Sequence, residues 1–162
     1  MEVETGVYLA PLRLLALEIQ DKLNSENIPC SLLTGEEEEI IPYASHVYST
    51  IEKLQTGSRY DVCVIDEAQM IADSQRGWAW TRAIISVLAK EIHICMAPEA
   101  LNIIIKLIEE CGDTYEVINH KRDTELIFED KVFNLDNDVK PGYAIVDFGK
   151  RKALAVSAAL LN

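Results

Sequence analysis

Two adjacent carboxylates, Asp66 and Glu67, directly follow Val62-Cys63-Val64-Ile65, a short apolar run rich in β-branched residues. Such a run, with turn-prone residues on either side, predicts a strand buried on both faces. Its carboxyl end is where open α/β sheets place their ligands, in the crevice outside the strand ends. Hard oxygen donors there suit Mg²⁺ held through water, and a second carboxylate can orient an attacking water, both of them parts of phosphoryl transfer. A solvated acidic turn would read the same way.

The chain must supply a core to position such a pair. It has 162 residues and is 49% hydrophobic, enough for one globular core. Its formal charge of −12 is unusual for a chain that grips nucleic acid unaided. No apolar run approaches the roughly 20 residues needed to span a bilayer. The amino terminus, MEVETG, has neither the charged nor the apolar region of a secretion signal. Cys30, Cys63, Cys95 and Cys111 form no C-x-x-C pair and no metal-like cluster with the histidines, so reduced thiols in an intracellular protein and no zinc site are expected.

Strand and helix signals alternate along the chain, the pattern of a parallel α/β sheet. Gly6 to Ala10 reads as a strand, and Pro11 suits the first turn of a helix whose Leu12, Leu15, Ile19 and Leu23 share one face. Arg13 and the free N–H groups of that turn could face a phosphate, although an exposed arginine is more often only a solvated charge. Ile28 to Leu33 is a second strand, followed by Thr34-Gly35 and the acidic run Glu36 to Glu39, read as a solvated loop that repels phosphate. Ala44 to Ser49 is a third strand, and Thr50 is placed as an N-cap of a helix start at Ile51-Glu52.

After the acidic pair comes a polar loop with Arg76, then Trp80, Ala83, Ile84, Val87 and Leu88 at helical spacing, which makes Trp80 core rather than a base-stacking platform. Ile92 to Met96 reads as another buried strand, with His93 a core or edge histidine. Pro98-Glu99 opens a helix striped by Leu101, Ile104, Ile105 and Ile108, and Gly112 ends it. Tyr115 to Ile118 is a further strand. Residues 121–140 read as a connector, and residues 141–162 as one strand, Tyr143 to Phe148, and one helix, too little for a second domain.

DEAQ after an apolar strand resembles motif II of the helicases, which favours the functional reading over the acidic turn. GVYLAPLRLLALEI, TGEE, HVYSTIE, VCVIDEAQMIADSQRGWAWTRAI, IHICMAPEA and HKRD, in that order, resemble the first motor lobe of the mitochondrial degradosome RNA helicase family, superfamily-two enzymes near the Ski2-like group. The resemblance runs from about Gly6 to Arg122 and resumes at Pro141. It implies a RecA-like parallel sheet flanked by helices and a division into a partial first lobe (1–120), a connector (121–140) and the start of a second lobe (141–162). It also implies ATP and Mg²⁺ as cofactors, RNA as the partner with DNA as an alternative, and ATP-driven unwinding or translocation in the intact enzyme.

By motif, the resemblance assigns Pro11, Leu12 and Arg13 to motif Ia, Thr34 and Gly35 to a neighbouring backbone-contact turn, and Thr50 and Glu52 to motif Ib, all gripping nucleic acid. It gives Asp66 and Glu67 the roles of Mg²⁺ and water-orienting carboxylates and Gln69 that of a link from the nucleotide site to the lobe. Phe148 falls in the motif IV region. MAPEA stands where relatives usually carry Gly-Glu-Pro.

The 162 residues contain no G-x-x-x-x-G-K-[ST], and motifs V and VI of the second lobe do not occur in them. The expectation is a helicase fragment with no ATPase activity of its own and no tight hold on ATP or Mg²⁺. Its sheet should lack the phosphate-loop strand beside Ile92 to Met96, an edge that Tyr143 to Phe148 of the same or another chain would cover, giving a homo-oligomer in the second case. The location expected is intracellular: cytoplasmic if bacterial, mitochondrial or nuclear if eukaryotic. The rival reading is a non-enzymatic α/β regulatory or protein-binding module. A phosphoacceptor receiver would need further acids after the first strand, which GVYLAP does not supply.

Overall fold

Residues 4–121, 124–134, 137–147 and 149–160 are described by a computed structural model, apart from the side chains of Leu15, Ala16 and Glu18. Phe148 lies outside the described residues, as do Arg122 and Leu161. The chain divides into two units, one up to Val117 and one from Ile118.

In the first unit the apolar segments assemble into one six-stranded sheet. Strand β1 (Gly6–Ala10) is followed by helix α1 (Arg13–Ser25), β2 (Cys30–Leu33), β3 (Glu38–Glu39), β4 (His46–Thr50), β5 (Arg59–Ile65), α2 (Gly77–Ser86), β6 (Leu88–Ile94) and α3 (Leu101–Cys111). The spatial order is β3-β2-β4-β1-β5-β6, parallel throughout except where β3 runs antiparallel to β2. This is the α/β arrangement expected of a RecA-like lobe. β5 is an interior strand, with β1 on one side and β6 on the other.

Because side chains alternate across a strand, the sheet sorts its residues onto two faces. Val7, Leu9, Cys63 and Ile65 form one face with Trp80, Ala83 and Ile84 of α2 and Ile104 of α3, the main core. Trp80 is the largest fully buried side chain, as its spacing predicted. On the other face Ala10 and Leu32 pack with Tyr8, Tyr48 and Leu17 of α1. Helix α1 touches β1, β2 and β4, which explains why Val62 and Val64 of β5 are only half-buried rather than enclosed on both sides. α3 ends as its glycine foretold: Gly112 takes φ 78° and its N–H reaches the Glu109 carbonyl.

Several expectations fail for identifiable reasons. The strand expected at Ile92 to Met96 runs Leu88–Ile94 and is not buried: Lys90, Glu91 and His93 are exposed, because β6 has a sheet partner on one side only among the described residues. The preceding helix stops at Ser86 rather than Leu88, since Val87 turns extended (φ −69°, ψ 136°) and Leu88 pairs with Arg59. Leu12, placed on the buried stripe of α1, is its N-cap and 56% exposed, while Gln20 is buried, donating to the Cys30 carbonyl and to Glu39. Pro11 therefore sits ahead of the cap rather than in the first turn. The acidic run is not all loop, because Glu38 and Glu39 pair with Leu33 and Leu32. Tyr115 to Ile118 forms no strand, nor do residues 143–147; a segment without a neighbouring strand has no ladder to join.

Among its described residues, the second unit contains helix α4 (Lys150–Leu160) and otherwise irregular chain. Lys131 Nζ lies 2.9 Å from Asp138 Oδ1, and the rings of Phe133 and Tyr143 meet edge to face at 5.9 Å.

Candidate nucleotide and nucleic-acid site

The end of β5 is held from three sides. The Asp66 N–H donates to the Leu9 carbonyl of β1 at 3.0 Å, and the Asp66 carbonyl accepts the Trp80 indole N–H at 2.9 Å. Beyond β6, the Cys95 N–H reaches the Ile65 carbonyl and the Ala68 N–H reaches the Cys95 carbonyl, both at 2.9 Å. The backbone then turns sharply at Glu67, which adopts the left-handed conformation (φ 50°, ψ 43°). A non-glycine residue there costs about 1–3 kcal/mol, the kind of strain that functional sites retain.

That turn brings both carboxylates to one cleft of ≈ 330 Å³, lined by Asp66, Glu67, Gln69, Cys95, Met96 and Ala97. Asp66 Oδ2 accepts the Tyr8 hydroxyl at 2.6 Å, and Oδ1 accepts the Glu67 N–H at 2.8 Å. Each carboxylate oxygen can accept twice, so lone pairs remain on both. Gln69 spans the cleft: its amide nitrogen donates to Glu67 Oε2, and its Oε1 accepts the Ala97 N–H at 3.1 Å. The second contact uses a backbone donor, so it does not depend on which side chain follows β6. Burial, then the bond to Asp66 and its charge, hold the Tyr8 hydroxyl far above the usual phenol range. Partial burial and the charges of Asp66 and Glu67 also raise the Cys95 thiol.

The donor set fits a hydrated Mg²⁺: two carboxylates with free lone pairs, side by side on a cleft, with Tyr8 holding one of them. Tyr8 escaped the sequence reading because only register reveals it; Tyr8 pairs with Val64, two residues before Asp66.

The residues assigned to nucleic acid lie where β1, β2 and β4 end, with Arg13 opening α1 and Thr50 closing β4. Arg13 is exposed, but its guanidinium is engaged by Glu36 at 2.7 Å and Glu37 at 2.5 Å. Thr34 is buried, and its hydroxyl is spent closing its own turn, accepting from the Glu37 N–H and donating to the Glu37 carbonyl, both at 3.0 Å. Gly35 is the exposed tip of that turn, and a Cβ there would meet nothing within 4 Å. Thr50 does not start a regular helix; it precedes one 3-10 turn, Ile51–Lys53, and makes no side-chain cap. Glu52 is turned toward Arg76, with Nε and Oε1 2.8 Å apart.

The sequence profile of the DEXQ-box helicase domain of Suv3 matches residues 1–120. The chain belongs to this family. Its DEXQ box is Asp66-Glu67-Ala68-Gln69, the turn that closes the cleft. Three relatives of the Suv3 type show the extent of the match. The mitochondrial ATP-dependent RNA helicase SUV3L of Oryza sativa subsp. japonica is 44% identical over 158 residues, covering 97% of this chain and 22% of the relative. The mitochondrial ATP-dependent RNA helicase SUV3 homolog of Drosophila melanogaster is 43% identical over 162 residues, covering 97% of this chain and 21% of the relative. The mitochondrial ATP-dependent RNA helicase SUPV3L1 of Homo sapiens is 41% identical over 158 residues, covering 95% of this chain and 20% of the relative. The chain thus spans about a fifth of the length of these Suv3 helicases.

Proposed function

We propose that this chain is the part of an ATP-dependent RNA helicase that carries motifs Ia, Ib and II. In the intact enzyme it would couple ATP hydrolysis to movement along RNA. The observation that carries the reading is the convergence of Asp66 and Glu67 on one cleft at the carboxyl end of an interior parallel strand. Asp66 and Glu67 would hold Mg²⁺ through water. The ion supplies charge neutralisation on the phosphates when bound. Glu67 is the base-side carboxylate that orients water, and Gln69, bonded to Glu67 and to the Ala97 N–H, fixes its direction. Arg13, the Gly35 tip and the Thr50–Glu52 turn form the nucleic-acid side, with Pro11 and Leu12 setting the start of α1 and Thr34 closing its turn from within.

The division into a first-lobe part (1–120), a connector (121–140) and the beginning of a second lobe (141–162) is part of the same proposal, as is a mitochondrial location, carried over from the relatives' names. The 162 residues contain no phosphate loop, so the chain by itself should neither hydrolyse ATP nor hold it tightly. Joining a G-x-x-x-x-G-K-[ST] strand and helix ahead of Met1 tests the reading. Mg²⁺-dependent binding of a fluorescent ATP analogue should appear and be lost in Asp66→Asn. Absence of binding in the joined protein favours the non-enzymatic module, and phosphoryl-donor labelling of Asp66 favours a receiver.

A further inference from the structure

The two arginines of the Arg76-Gly77-Trp78-Ala79-Trp80-Thr81-Arg82 segment have no part in the chemistry above, yet both reach across to the loops assigned to RNA. Arg76 uses its fork in three directions. Nε donates to Glu52 Oε1 at 2.8 Å, Nη2 donates to the Pro11 carbonyl at 2.6 Å, and the guanidinium lies over the Trp80 ring at 5.6 Å. Trp80 in turn donates its indole N–H to the Asp66 carbonyl at 2.9 Å. Arg82 Nη2 donates to the Glu52 and Leu54 carbonyls at 3.0 and 3.1 Å, and its guanidinium lies over Trp78 at 5.6 Å. The turn after β4 is therefore held at its side chain by Arg76 and at its backbone by Arg82.

We propose that Arg76 is a positioning residue that ties the Pro11 and Glu52 loops to the peptide of Asp66 through Trp80, so that RNA on the loops is felt at the carboxylate strand end. The proposal rests on the reading of those loops as RNA-facing. Only a guanidinium can serve all three partners, because a planar fork donates along two edges while its face stacks on an indole. Lysine offers a single ammonium and no plane. The path contains one side chain bonded to the Pro11 carbonyl and to the Glu52 carboxylate, so that a shift of either acts on Arg76, and one on which Arg76 acts in turn, since Trp80 lies beneath it. Trp80 is fully buried, so its displacement is transmitted to the Asp66 carbonyl rather than absorbed by solvent.

The Trp80 indole N–H is a direct reporter, and the chain has only two tryptophans. Short single-stranded oligouridine is titrated into the ¹⁵N-labelled chain, following the backbone N–H signals of Arg13, Gly35 and Thr50 together with the indole signal of Trp80. The expected result is movement of both sets in the native chain, and movement of the backbone signals alone in Arg76→Ala, with the indole response lost. An indole that stays still in the native chain while the loop signals move overturns the proposal and leaves the RNA reading standing. An indole that moves equally in Arg76→Ala also overturns it. Loop signals that never move overturn the RNA reading and the proposal with it. If Arg76→Ala does not fold, Arg76→Lys decides, because it keeps the charge but has neither the fork that reaches Glu52 and Pro11 together nor a plane to lie over Trp80; with the loop signals still moving, an indole response at least halved supports the proposal and a full response overturns it.

Discussion

The Tyr8 hydroxyl donates to Asp66 Oδ2 at 2.6 Å, across the β1–β5 pair. A half-buried phenol thereby holds one carboxylate oxygen of the candidate Mg²⁺ pair in a fixed direction, and Tyr48 stacks on its ring at 5.2 Å. Burial contributes most to the raised titration of Tyr8 and Asp66 contributes next. Asp66→Asn should lower that titration while leaving it above an exposed tyrosine's, as read from the ¹³C shift of labelled tyrosine rings. The sign for stability follows: a raised phenol value is compatible with full stability below the unfolded tyrosine's titration, and stability is lost as pH rises through the folded value. An unchanged titration in Asp66→Asn would show that the hydrogen bond does not form in solution.

Glu36 and Glu37 occupy the Arg13 guanidinium that the motif assignment gives to a phosphate. All three side chains are well exposed, so solvent screens the pairing and it contributes little to stability. The double variant Glu36→Gln, Glu37→Gln should therefore fold with unchanged stability and bind single-stranded RNA more tightly. The salt dependence should steepen by about 0.7 in log–log slope, the increment for one added phosphate contact on a single strand. Fluorescence anisotropy at several salt concentrations measures both; weaker binding in the variant would contradict this role for Arg13.

Two glycines should part company. A Cβ at Gly77 would overlap the Ile71 carbonyl, because the start of α2 passes directly against that backbone. Gly77→Ala should cost about 1–3 kcal/mol, as overpacking does, visible in urea denaturation. Gly35→Ala meets no atom of the protein, so it should leave stability unchanged and reduce RNA binding only. Equal destabilisation by the two substitutions would contradict the packing described for α2.

The four cysteines should divide by burial. Cys30 and Cys63 are fully buried, and burial pushes their thiols up to about 11 and about 12. Only Cys95 and Cys111 should react with a disulfide reagent in the native chain at neutral pH. Glu67→Gln should speed the reaction at Cys95 by removing one of the charges that raise its thiol. Mass spectrometry of the labelled peptides reads the order; labelling of Cys63 before unfolding would contradict the interior position of β5.

Much of this arrangement was written in local pattern. The β-branched run ahead of Asp66, the helical spacing around Trp80 and Gly112 at the end of α3 each determine their element through neighbours in sequence. What stayed hidden depends on pairing. Tyr8 reaches Asp66 only through register, Arg76 reaches Pro11 across 65 positions, and β6 is exposed because, among the described residues, it pairs on one side only. Thr50 illustrates the opposite error: good capping chemistry was present, but the chain turns into the next loop after one 3-10 turn. The Thr34 hydroxyl closes the turn after β2 through both backbone groups of Glu37, a contact that follows from how the turn folds rather than from any spacing in the sequence.

If Asp66 and Glu67 serve a nucleotide-bound Mg²⁺, the decisive assay is RNA-stimulated, Mg²⁺-dependent ATP hydrolysis by a chimera in which this chain replaces the matching segment of the Drosophila melanogaster relative. The chimera should hydrolyse ATP, and Glu67→Gln within it should lower kcat by about a hundredfold or more, as loss of a general base does, while leaving nucleotide binding intact. An active chimera whose rate is unmoved by Glu67→Gln and by Asp66→Asn would contradict the claim.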